Sequence, residues 1–139
     1  MRAEICRRCH TVEESYEFML AYAAQGVIDE NGSQSGGQIR EYLQRAVNAL
    51  SGLADACVMA AQPAALDALE KYLAFLDVLD RDAHNSIRII ELVLAQPTIS
   101  SQMVDNLNAS IHLRAVLTDL FLLSDIVTQQ MRPPVATQS

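Results

Sequence analysis

The chain has 139 residues, half of them hydrophobic and only 5% aromatic, which is length for one domain and too apolar for disorder. Its 19 Ala and 17 Leu favour helix over strand before any pattern is read. Seventeen acidic against ten basic residues give a net charge of −7, and the bases, nine of them Arg, sit singly or in pairs along the sequence, so neither nucleic acid nor an anionic membrane surface is an expected partner.

The start, MRAEICRRCH, carries charges where an export signal needs an apolar run. No 18 consecutive residues lack a charge. The most apolar stretch, 115–127, contains Asp119 and Asp125 and follows Arg114, as a buried helix does and a membrane span does not. A cytoplasmic protein with reduced Cys6, Cys9 and Cys57 is expected. Residues 1–10 read as an arm or as a backward extension of the first helix, 11–131 as one helical domain, and 132–139, opening on Pro133-Pro134, as a disordered tail.

Thr11-Val12-Glu13-Glu14 fits a capping box, so the first helix is expected from residue 11 to Gly26, with Val12, Tyr16, Met19, Leu20 and Ala23 on its apolar face. Residues 29–37 combine Asn-Gly and Gly-Gly with polar side chains and read as a loop outside the core. The second helix is expected over 38–62. Its apolar positions Ile39, Leu43, Ala46, Leu50, Leu53, Cys57 and Ala60 step by four and three, a heptad seam, and Pro63 stops it.

The seam resumes as Leu66, Leu69, Leu73, Leu76, Asp80, Ala83, Ile87, Ile90 and Leu94, which predicts one continuous helix through Asp80-Arg81-Asp82 to about residue 96. Asp80 stands in it as a polar residue able to fix register. Pro97-Thr98 makes a turn, and a fourth helix is expected over 100–131. The fold class is therefore all-α, an antiparallel, up-down-up-down four-helix bundle whose third and fourth helices are long. Its apolar residues occupy more than one face of the fourth helix. One chain cannot easily bury them all, so Leu113, Val116, Leu117, Leu120, Phe121, Leu123, Ile126 and Val127 are the expected interface of a homodimer or higher oligomer.

Two clusters invite chemistry. Cys6-x-x-Cys9-His10 is the string that attaches haem in exported proteins, but no export signal precedes it; with Glu13 it offers donors for a transition metal such as zinc or iron, or a redox dithiol beside Arg7 and Arg8. If the last turn centres near residue 98, His84 and His112 lie level, with Asp80 one turn before His84 and Glu17 at a similar depth, a layer able to hold a metal. The spacing departs from that of di-iron bundles, since the residues three before the two histidines are Arg81 and Ala109. His84 followed by Arg88 has the skeleton of a histidine phosphotransfer bundle, without the small glycine that lets a phosphoryl group approach. Arg88 and Glu91 themselves read as a solvated or interfacial ion set.

No Gly-x-Ser-x-Gly elbow and no phosphate-cradling glycine loop is present. The leading expectation is a non-enzymatic interaction module, an adaptor, chaperone-like or regulatory protein, acting through an apolar helix surface. Metal-binding or redox use of the cysteine segment is the alternative, and phosphotransfer through His84 a second.

Overall fold

The computed structural model describes residues 2–32, 36–60 and 66–131, and within them the chain is helical with no strand. The elements are α1 (Arg2–Ala24), a 3₁₀ turn (Glu30–Gly32), α2 (Gly36–Leu50), α3 (Leu53–Ala60), α4 (Leu66–Leu94), α5 (Ser101–Asn108) and α6 (Ile111–Met131). The expected tail at 132–139 and the expected stop at Pro63 lie outside the described residues.

α1 starts nine residues earlier than the capping box predicts. Thr11 is interior to the helix, and its hydroxyl donates to the Arg7 carbonyl at 3.0 Å instead of accepting from a free amide. Starting at Arg2 adds Ile5 and Cys9 to the buried face, which continues through Val12, Ser15, Met19 and Tyr22. That face is rolled from the expected one, so Tyr16 and Ala23 are half-buried and Leu20 is exposed.

The second expected helix is broken. Gly52 takes a left-handed φ of +77°, and Ser51-Gly52 separate α2 from α3. The seam nevertheless survives, with Ile39, Leu43, Ala46, Leu50, Leu53 and Cys57 all buried, because the break neither adds nor removes a position. Arg8 reaches across from α1 to cap this helix end, its Nη1 donating to the carbonyls of Asn48, Ala49 and Ser51 at 3.2, 3.1 and 2.7 Å. A Cβ at Gly52 meets no atom within 4 Å, so strain alone sets the cost of Gly52→Ala. We expect it to lower unfolding stability by about 1 kcal/mol, read as a lower urea midpoint.

α4 runs unbroken through Asp80-Arg81-Asp82. Among its described side chains the buried ones are Leu76, Leu79, Ala83, Ser86 and Ile90: Leu76, Ala83 and Ile90 belong to the predicted seam, Leu79 and Ser86 lie beside it, and Asp80 is exposed rather than seated in the core. The fourth expected helix is broken as well. α5 opens at Ser100, whose hydroxyl accepts from the Met103 amide at 3.1 Å, and closes at Asn108. Ser110 then caps α6, accepting from the His112 amide at 3.2 Å. This turn lets α5 pack on α1 while α6 packs on α4. Ser86 Oγ donates to the His112 carbonyl at 3.0 Å, which levels position 86 with 112.

The segment after α1 is the largest departure from expectation, because the loop does contribute to the interior. Glu30 is buried and takes a bidentate pair from Arg40, Nε to Oε2 at 2.8 Å and Nη2 to Oε1 at 2.7 Å. Arg40 also donates to the carbonyls of Leu94, Gln96 and Pro97, and Glu30 accepts from the Ile99 amide at 3.0 Å. One ion pair thus ties the 3₁₀ turn, α2 and the end of α4 together, and satisfies helix-end carbonyls that have no partner within α4. Beside it, the Tyr22 hydroxyl donates to the Ile99 carbonyl at 2.6 Å. Ser101 Oγ donates to the Tyr22 carbonyl and accepts from the Val27 amide.

Candidate functional site

Helical geometry separates the Cys6-x-x-Cys9-His10 donors by environment. Cys6 and His10 are exposed, Cys9 is buried in the core, Glu13 is half-buried and Glu17 exposed. His10 Nε2 lies 4.0 Å from Glu14 Oε2 on its own helix. Among the described residues no group of three or more His, Cys, Asp or Glu side chains has an arrangement that could hold a metal ion. Burial pushes the Cys9 thiol up to about 12, reinforced by Cys57, Cys6 and Glu13. Burial likewise raises Cys57 to about 11, partly offset by a hydrogen bond with Tyr72 and by the charge of Arg8. A dithiol redox centre needs a lowered thiol pKa, and burial moves the Cys9 member of the pair the opposite way. The sequence could not show that Cys9 belongs with Cys57 and Tyr72, since the three come from α1, α3 and α4.

His84 and His112 are both exposed, so the expected layer of imidazoles inside the helices does not form. His84 Nδ1 lies 2.8 Å from the Asp80 carbonyl and 3.3 Å from its Oδ1, a local pair on the outer face of α4. Arg88 and Glu91 are exposed as well.

Three cations that look scattered in the sequence meet in space. Arg7, Arg8 and Arg45 line a cleft of about 400 Å³ between α1 and α2, with Thr11, Glu14 and Asn48. Each already has an acid: Arg7 and Arg8 share Glu4, whose carboxyl they hold below its ordinary pKa, and Arg45 pairs with Glu41 at 2.6 Å while lying over the Tyr42 ring. Tyr42 in turn stacks on Phe18, with centroids 4.2 Å apart. Glu4, Glu14 and Glu41 balance the three guanidinium groups. The cleft therefore fastens α1 to α2 and holds no surplus positive charge for an anion.

Of the residues expected at an interface, Leu113, Val116, Leu117, Leu120 and Leu123 are buried within the chain itself. Ile126 is half-buried, the Val127 side chain lies outside the described residues, and Phe121 is exposed, as is its neighbour Leu122. The expected patch is thus mostly core, because splitting α5 from α6 gives α6 two helices, α4 and α1, to pack against.

Apolar surface is found elsewhere. Ile89, Leu92, Val93, Gln96, Met103, Asn106, Leu107 and Ser110 line a groove of about 420 Å³ between the end of α4 and α5. Leu92 is 64% exposed, and Ile111, the residue that follows the lining Ser110 in the chain, is 76% exposed. None of the lining residues is charged. Their polar members, Gln96, Asn106 and Ser110, are neutral. No described helix is long and apolar enough to cross a membrane. The chain matches no family model, no curated protein and no solved structure.

Proposed function

We propose that this chain is a non-enzymatic helical interaction module that works as a self-associating adaptor, chaperone-like or regulatory protein, and that its contact surface is the groove between α4 and α5. The observation carrying this reading is the exposure of Leu92 and Ile111 beside an apolar, uncharged groove. Isolated exposed leucines are ordinary, but contiguous apolar surface with a neutral polar rim is what association sites present.

We take the occupant to be a second copy of the same chain, which an uncharged groove admits without local repulsion. Two molecules of net charge −7 repel each other over most of their surfaces. They can approach closely where neither brings an acid, and the groove is such a place. A two-fold contact would set the same groove against itself, with Leu92 and Ile111 as the reciprocal anchors.

The double variant Leu92→Glu, Ile111→Glu tests this. Both positions are open to water, so the fold tolerates the change, while four added negative charges per dimer oppose the contact. We expect the variant to elute as a monomer with an unchanged far-ultraviolet circular dichroism spectrum. Elution identical to the unaltered chain would refute the assignment.

A further inference from the structure

Asp82 on α4 and Asp119 on α6 meet side chain to side chain where these two helices pack. Asp119 sits between Val116 and Leu120, both fully buried, and Asp82 beside buried Ala83. One Asp119 oxygen, Oδ2, is out of water with no hydrogen-bond partner. The charged group facing Asp119 is Asp82 from α4. Among the described residues, no ion pair or hydrogen bond reaches it from α1 or α5, the other elements packed on α6. Two ionised carboxylates in contact, one with an oxygen stripped of solvent and donor, repel each other and leave a costly orphan acceptor. A single proton removes both costs, because a protonated carboxyl donates to its ionised neighbour.

We propose that Asp82 and Asp119 share one proton and form a pH-sensitive latch between α4 and α6, closed in acid and loosened in alkali. Burial first, and then contact with Asp82, raise the Asp119 carboxyl to about 7, consistent with that role. The direction of the effect follows from proton binding. Between the ordinary carboxylate range and pH 7 the folded chain retains a proton that the unfolded chain releases, so raising the pH through that window favours unfolding. This is the reverse of a carboxylate held in a salt bridge. The latch is independent of the α4–α5 groove and does not rest on self-association.

The test uses the full chain, melted from pH 5.5 to 8.5, beside Asp119→Asn, Asp82→Asn and, as a control on an exposed α6 position, Asp125→Asn. An asparagine at 119 can donate permanently to Asp82, in place of the proton. The unaltered chain should lose several degrees of melting temperature as the pH rises. Asp119→Asn should melt higher than it at pH 8.5 and remove more than half of the slope, while Asp125→Asn keeps the slope. Should Asp119→Asn fail to fold, Asp82→Asn and a carboxyl-carbon NMR titration of the unaltered chain decide. Parallel profiles in the chain and in the folding variant, or both carboxyls ionised at pH 5.5, would overturn the proposal.

Discussion

Arg40→Ala is expected to lower unfolding stability by about 2–3 kcal/mol. The guanidinium gives Glu30 its bidentate partner and serves the carbonyls of Leu94, Gln96 and Pro97. Its removal leaves a nearly enclosed carboxylate facing those carbonyls with only the Ile99 amide as donor. Loss of one partner of a fully buried pair costs about 3–5 kcal/mol. Arg40 itself keeps about a third of its side chain in water, so solvent can replace part of what is lost and the effect falls below that range. Glu30→Gln should cost less, because the arginine retains its carbonyl acceptors. Urea midpoints of the two variants check the order. An unshifted midpoint for Arg40→Ala would mean that the ion pair does not fasten the 3₁₀ turn to α4.

Leu120→Asp is expected to abolish cooperative folding, whereas Phe121→Asp, one residue on, should stay within about 0.5 kcal/mol of the original chain. Leu120 is fully buried on α6, and an aspartate there puts an unpaired charge into the core next to Asp119. A loss above about 4 kcal/mol exceeds what most small domains can spare. Phe121 is 54% exposed, so its replacement faces water. Thermal unfolding followed by circular dichroism separates the two. If Leu120→Asp melts like the original chain, α6 is rolled relative to the face described above.

Much of the helical framework was legible. The seam of α2 and α3 reads directly from Ile39 to Cys57, the continuity of α4 follows from a register that outlasts Asp80-Arg81-Asp82, and Ser100 opens α5 at the position where the fourth helix was expected to begin. The breaks were harder to see. At Ser51-Gly52 the heptad spacing is preserved, so periodicity alone cannot reveal the turn, although a glycine able to take positive φ was the available signal. At Ser110 the available signal was a capping residue followed by an apolar run.

The polar interior was not legible at all. Glu30 lies in a segment whose composition belongs to a solvated loop, and its partners are ten residues away at Arg40 and sixty-nine away at Ile99. Pairings at such separations leave no periodic trace. The candidate site failed for a related reason. Apolar residues on more than one face of the fourth helix point to surplus surface only if the chain has too few helices to cover them, whereas Leu113, Val116, Leu117, Leu120 and Leu123 are covered once the chain turns at Ser110 and α6 packs on α4 and α1. The open apolar surface lies instead at Leu92, off the predicted seam of α4, and at Ile111.

Sedimentation velocity across a concentration series decides whether the chain self-associates through the α4–α5 groove. Contact through the groove gives a concentration-dependent species of twice the 15.3 kDa chain mass that is lost in Leu92→Glu, Ile111→Glu. A monomer at every concentration, or a dimer indifferent to those two substitutions, would contradict it.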